Sequence, residues 1–199
     1  MESAARRWAD RDGSAAMIDL LNDLLDAGHA PDLAASSVRD LREHRDRLDE
    51  IESALSFGRR IAQGRLDIVV SEIEARATGE TDPGGIVARL PEVLSRQAPS
   101  VSAAAPRPPR DLVLTPLAED LAAALDRVVT TDELGDVTTV ADDRLAAMAA
   151  AIADAERSIS TRRSEVHRLI DAVQEEIIGR YRSGSTTVDE LLADSVTPH

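Results

Sequence analysis

Five polar residues at helical spacing, present twice in the chain, form the clearest chemical signal in this sequence. One set spans residues 52–67 and the other lies 104 positions later, at residues 156–171. An α-helix turns about 100° per residue, so within each set the side chains share one stripe. Arginine and hydroxyl groups on such a stripe can bind an anion, and carboxylates can accept hydrogen bonds from a nucleobase edge. The sets are Glu52, Ser56, Arg59, Gln63 and Asp67, and Glu156, Ser160, Arg163, His167 and Asp171.

The apolar positions around these polar residues repeat with the same offset. Leu48 is matched by Ile152, and Leu55 is matched by Ile159. Such positions form the seam along which one helix packs on another, and each polar stripe lies about 85° to the same side of its seam. Because stripe and seam repeat together, we interpret the two segments as a duplicated helix.

The position of the stripe beside the seam decides how the two helices pair. In a parallel pair the two stripes would lie on opposite faces, whereas in an antiparallel pair they share one face. The predicted helices, residues 37–78 and 142–183, place Arg59 and Arg163 near their midpoints. We therefore predict an all-α fold built on a long antiparallel two-helix coiled coil, with one composite site open to solvent.

The residue types in this composite site favour a ligand that contains guanine and phosphate. The arginine fork matches the O6/N7 edge of guanine, and an aspartate can accept from the N1 and N2 donors. Serine, glutamine and histidine can donate to phosphate oxygens. Cyclic di-GMP has two guanines and two phosphates in a twofold arrangement, so it suits the duplicated set. The predicted ligand-binding residues are Ser56, Arg59, Gln63, Asp67, Ser160, Arg163, His167 and Asp171, with Glu52 and Glu156 orienting their Arg or Ser neighbours.

The pattern Glu-x3-Ser-x2-Arg-x3-Gln-x3-Asp, intact at 52–67 and altered at His167 in the second copy, resembles the paired signature of the RsiG family. These are actinobacterial anti-sigma factors whose antiparallel coiled coil binds a dimer of cyclic di-GMP. The resemblance implies that the loaded protein captures a WhiG-type sporulation sigma factor and keeps it from RNA polymerase. It further implies two ligand molecules per chain and, since single-motif members act as homodimers, a monomer in a 1:1 complex with sigma.

Composition and charge bound the remaining functions. The formal charge is -14, and Arg supplies all 23 basic residues, so we expect no direct DNA binding and a partner with a basic surface. There is no Cys, no membrane-length apolar run and no signal-peptide core, which favours a cytoplasmic location. No phosphate loop, zinc-ligand spacing or nucleophile elbow supports an enzyme. A nucleotide-independent coiled-coil adaptor remains the alternative function.

The other segments are predicted to be accessory elements of a single α-helical domain over residues 1–199. We expect a short helix over 14–28, capped by Ser14, and a linker with short helices over 79–141, including a Pro/Ala-rich stretch at 97–110. A helix beginning at Thr115-Pro116 should reach about Val129. Residues 186–199 should form a short C-terminal helix and tail, a candidate contact for sigma.

Two details of these elements are open to a structural check. The short helix over 14–28 should dock an apolar face on the coiled coil, although a protein partner is the alternative. That face comprises Ile18, Leu21 and Leu25, widened by Met17 and Leu24.

Gly58 and Gly64 each weaken the first long helix by roughly 1 kcal/mol relative to Ala, and we expect them to let a ligand or partner approach the backbone.

Overall fold

The computed structural model describes residues 13–28, 32–79 and 115–183, and all of the regular structure in these ranges is helical. This confirms the all-α fold class. Two long helices dominate, and three short helices and a 3-10 turn accompany them. The elements are α1 (Gly13–Gly28), α2 (Val38–Thr78), α3 (Pro116–Val128), α4 (Thr131–Gly135), the 3-10 turn (Val137–Thr139) and α5 (Asp142–Arg182).

Helices α2 and α5 form the antiparallel pair that the sequence predicts. Each has 41 residues, which corresponds to about 60 Å. The start of α2 meets the end of α5, where Arg42 donates to the Tyr181 hydroxyl at 2.6 Å. At the other end Arg76 contacts Asp142 at 2.5 Å, so the two helices end flush. The buried apolar residues along the pair include Leu41, Leu48, Leu55, Ala62 and Val69 of α2, and Leu145, Ile152, Ile159, Val166, Val173 and Ile177 of α5.

Local capping explains where several helices begin and end. Ser37 accepts from the Asp40 backbone N–H while the Asp40 carboxylate accepts from the Ser37 backbone, a capping box at the start of α2. The Ser37 hydroxyl and backbone N–H both donate to the Asp40 carboxylate and hold the pKa of Asp40 below its ordinary value. Gly79 ends α2 in the left-handed conformation, with φ of 69°. Thr115 caps α3 as predicted.

Each end of the coiled coil also carries an arginine that donates to carbonyl groups just before the other long helix; we call these the end clamps. Arg76 is held by Glu72 at 2.8 Å, and Arg180 is held by Glu176 at 2.8 Å. The carbonyl acceptors are those of Val137, Thr138 and Val140 for Arg76, and those of Leu33, Ala34 and Ser36 for Arg180. Every clamp residue and acceptor at one end is 104 positions from its counterpart at the other, so the duplication extends to the helix ends.

Helix α3 packs against α2 at Gly58. A Cβ on Gly58 would lie 2.1 Å from Leu121 Cδ2, and Leu121 is fully buried. Arg65 of α2 donates to the Val129 carbonyl at 2.9 Å and pairs with Asp126. Our expectation for Gly58 was therefore wrong, because the space beside its backbone is filled by the protein's own α3. A Cβ added to Gly64 would meet nothing within 4 Å.

Helix α1 docks on the coiled coil and α3, which confirms the first of the two readings offered for its apolar face. Its buried residues are Met17, Leu20, Leu21 and Leu24. Ile18 was wrongly included in this face, since it is 49% exposed; the docked stripe is rotated towards Leu20. Ser14 lies inside a helix that begins at Gly13, so the capping prediction was also wrong. A Cβ at Gly13 would lie 2.3 Å from the Arg127 carbonyl oxygen, so glycine allows the start of α1 to approach the end of α3 closely.

The segment between α3 and α5 contains two further short helical elements. Thr130 and Glu133 form a capping box at the start of α4, and the 3-10 turn follows. The Pro/Ala-rich stretch 97–110 and the tail 186–199 lie outside the described residues. Within the described ranges no helix is long and apolar enough to cross a membrane, and no group of His, Cys, Asp and Glu is suited to a metal ion.

Candidate functional site

The two polar stripes lie on one face of the α2–α5 pair, here called the motif face. Cross-helix contacts establish this, because Glu52 of α2 meets Arg163 of α5 while Glu156 of α5 meets Arg59 of α2. The accessory helices lie elsewhere: Gly58, which touches α3, is about 100° around α2 from Arg59. Likewise Arg162, which donates to Asn22 of α1 at 2.5 Å, is about 100° around α5 from Arg163.

Four side chains from both helices form the Glu52 cluster: Glu52, Ser56, Arg163 and His167. Ser56 donates to Glu52 Oε1 at 2.7 Å. Arg163 Nε lies 2.9 Å from the same oxygen and 2.8 Å from Ser56 Oγ. His167 Nε2 lies 3.3 Å from Glu52 Oε1. The glutamate is thus the common acceptor for its own helix and for α5.

The Glu156 cluster is the duplicate: Glu156, Ser160, Arg59 and Gln63. Ser160 donates to Glu156 Oε1 at 2.9 Å, and Arg59 Nε lies 3.4 Å from that oxygen. With its amide oxygen towards Arg59, Gln63 accepts from Nε and a terminal nitrogen at 3.2 Å. The reverse orientation leaves Gln63 a 3.5 Å contact to Glu156 and sets amide donors against arginine donors, so we favour the first.

The electrostatics of the Glu52 cluster keep its carboxylate ionised. Burial alone would raise the pKa of Glu52. Hydrogen bonds from Ser56 and Arg163, with the charges of Arg163 and His167, outweigh burial and hold that pKa below its ordinary value. An ionised glutamate at this position keeps the Arg163 guanidinium in place on the motif face.

The structure brings eight of the ten singled-out residues into these two clusters. The remaining two, Asp67 and Asp171, each lie one helical turn beyond the Gln63 or His167 of their own stripe. Asp67 is half-buried and Asp171 is exposed. Both aspartates therefore flank the clusters on the motif face.

The arrangement leaves donor groups directed away from the glutamates. Glu52 and Ser56 engage Nε of Arg163, and neither terminal nitrogen of that guanidinium donates a hydrogen bond to any residue in the described ranges. The Arg163 side chain is 31% exposed and the Arg59 side chain 37%. The partly exposed Arg163 guanidinium, whose Nε is fixed by Glu52 and Ser56, is suited to bidentate recognition of an anion or a guanine edge through its terminal nitrogens.

The end clamps are the duplicated feature that our reading of the sequence missed. Glu72 and Arg76 recur as Glu176 and Arg180 with the same 104-residue offset, so the signal was present. A Glu-x3-Arg pair is common on exposed helix surfaces. Its role can be recognised only once the structure shows the carbonyl groups that accept from the arginine.

Residues 27–94 match the family model described as RsiG-like. The matched segment contains the whole of α2 and the first motif, while α5 with the second motif lies outside it. The match confirms the resemblance drawn from the sequence and supports an RsiG-family anti-sigma factor. Such a family is regulatory rather than catalytic, and an anti-sigma role implies a sigma factor as partner. A search of curated proteins finds no match to the chain.

Proposed function

We propose that the protein is a cyclic di-GMP-dependent anti-sigma factor that sequesters a WhiG-type sporulation sigma factor in a 1:1 complex. Two ligand molecules would bind per chain, on the motif face. The observation that carries this proposal is the pair of equivalent clusters, each built from both long helices and each containing a partly exposed arginine held by a glutamate of the other helix.

The clusters support a ligand that bridges the two helices. Each arginine belongs to one helix and is held by a glutamate of the other, so a ligand bound to Arg59 and Arg163 contacts both. Asp67 and Asp171 lie a turn away on the same stripes, and their carboxylates would serve as acceptors for the N1 and N2 donors of guanine. Ser56 and Ser160, with Gln63 and His167, supply donors for phosphate or ribose oxygens.

The charge of the chain supports the choice of partner. With a formal charge of -14 the protein is a poor ligand for DNA but is attracted to a basic, DNA-binding surface such as that of a sigma factor. Ligand bound on the motif face would add guanine edges and phosphates to that face. Recognition of the combined surface makes capture of sigma dependent on the second messenger, and a cytoplasmic location follows from that partner.

A capture experiment with the WhiG-type sigma factor as prey tests this function. The full chain is immobilised and presented with sigma factor, with and without cyclic di-GMP, and with GMP as the matched nucleotide control. We expect sigma to be retained with cyclic di-GMP and not with GMP or buffer. Equal retention in all three conditions would contradict the proposal.

A nucleotide-independent adaptor is the second candidate, because each motif arginine is already paired with a glutamate. Glu52 and Glu156 neutralise Arg163 and Arg59 across the helix pair, an arrangement that needs no ligand to be stable. An adaptor would retain its partner equally well after Arg59→Ala, whereas the proposed function requires that substitution to weaken ligand-dependent retention.

A further inference from the structure

The two clusters differ in residue type at one pair of equivalent positions. Gln63 in the Glu156 cluster is replaced by His167 in the Glu52 cluster, and the other members are identical in type. Glutamine is neutral at every physiological pH, whereas an imidazole can take up a proton. The duplicated site therefore has one half whose charge is fixed and one half whose charge depends on pH.

His167 lies where protonation of its imidazole would change the electrostatic interaction with an anion bound on the motif face. Its side chain is 46% exposed on the motif face, and its Nε2 lies 3.3 Å from Glu52 Oε1. Arg163 and Asp171 lie one turn before and one turn after it on α5. From α2 the charged group in contact with it is Glu52, and Asp49, which pairs with Arg45, lies one turn before Glu52 on that helix. The contacts of α1 and α3 lie on other sides of the two long helices.

The formal charges of the two halves explain the direction of the effect. With a neutral imidazole, the Glu52 cluster with Asp171 carries one positive and two negative side chains, as does the Glu156 cluster with Asp67. A bound phosphodiester adds further negative charge. A proton on His167 offsets that charge, so the ligand-bound state favours the protonated imidazole more strongly than the ligand-free state does.

We propose that His167 couples anion binding on the motif face to uptake of one proton, so that one half of the site binds its ligand more tightly as the pH falls. This inference rests on the proposed function, since it concerns the same site and the same ligand. The linkage is reciprocal: binding that takes up a proton is favoured at low pH and is lost as the pH rises through the imidazole range.

Calorimetric titration of the full chain with cyclic di-GMP at about pH 6 and about pH 8 tests the coupling. Each titration is done in two buffers that differ in ionisation enthalpy, which counts the protons exchanged. For the unaltered protein we expect affinity to rise by up to about tenfold per pH unit on acidification, with net proton uptake near neutrality. His167→Gln, which makes the two clusters alike, should bind with little pH dependence and no uptake. Gln63→His, the matched control, should take up a second proton.

The possible failures are distinguishable. If the unaltered protein and His167→Gln both bind ligand with the same pH dependence and the same proton count, the coupling through His167 is wrong while the proposed function stands. If none of the three proteins binds cyclic di-GMP at either pH, the proposed function is wrong and the coupling is overturned with it.

Discussion

Positions related by the duplication keep the same residue types more often on the motif face than on the face covered by α1 and α3, here called the covered face. On the motif face Glu, Ser and Arg recur at equivalent places and make equivalent cross-helix contacts. On the covered face the equivalents differ: Gly58 packs on Leu121, while its counterpart Arg162 donates to Asn22 and pairs with Glu165. The end clamps resemble the motif face in this respect, since both copies of the duplication retain them.

This difference fits the proposed function. The proposed twofold-symmetric ligand would need equal side chains from both helices, so divergence on the motif face would weaken one half of its site. The covered face holds two dissimilar accessory helices, so identical residues there would fit only one of them. Substitutions on the two faces should therefore separate ligand binding from folding.

The largest expected effect is on the motif face. Arg59→Ala and Arg163→Ala should each weaken cyclic di-GMP binding by about 10- to 100-fold, and the double variant should abolish it, because each removes a charge-assisted fork. Helicity by circular dichroism should be unchanged. Arg157→Ala is the matched control, since Arg157 lies on α5 and pairs with Asp154. Loss of affinity as large in the control would remove the special role of the motif arginines.

On the covered face we expect an effect on folding instead. Gly58→Ala places a methyl group against fully buried Leu121, with an expected net loss of about 1–2 kcal/mol in the free energy of unfolding. Gly64→Ala has open space and should gain about 0.5–1 kcal/mol. Denaturant titration measures both. Stabilisation by Gly58→Ala would show that α3 does not pack there in solution.

The end clamps should stabilise the fold at both ends. Arg180→Ala removes donors to three carbonyl groups and leaves Glu176 without its partner, with an expected loss of about 1–2 kcal/mol. Arg76→Ala should act in the same direction, since Asp142 and Glu72 hydrogen bonds raise the pKa of Arg76 in the folded state. Thermal melting compares both with Arg39→Ala, an exposed arginine of α2. Clamp variants that melt like this control would contradict a role in fixing the helix ends.

The smallest expected effect is the pH dependence of Glu52. Its pKa is below the ordinary 4.5 in the folded state, so the ionised form stabilises the fold above that value and the contribution is lost as the pH falls through the folded-state pKa. Glu52→Gln should cost less than about 1 kcal/mol near neutrality and less still near pH 3. Glu50→Gln, an exposed neighbour, is the control. A cost that grows on acidification would contradict the lowered pKa.

The long helices and the motif face could be predicted from sequence because they depend on local spacing. Stripe, seam and offset recur in the chain itself, and Ser37 and Gly79 mark the ends of α2. The docked face of α1 could not be fixed in the same way, because Ile18 and Leu20 are both apolar and tertiary packing chooses between them. The purpose of Gly58 likewise depends on Leu121, a residue 63 positions away in the sequence.

Calorimetric titration of the full chain with cyclic di-GMP, at neutral pH and near-physiological salt, tests the central claim most directly. Two equivalent clusters on one face predict saturation at two ligand molecules per chain, with binding lost in the Arg59→Ala, Arg163→Ala double variant. The absence of heat, or saturation at one molecule per chain, would contradict a single site built from both copies of the motif.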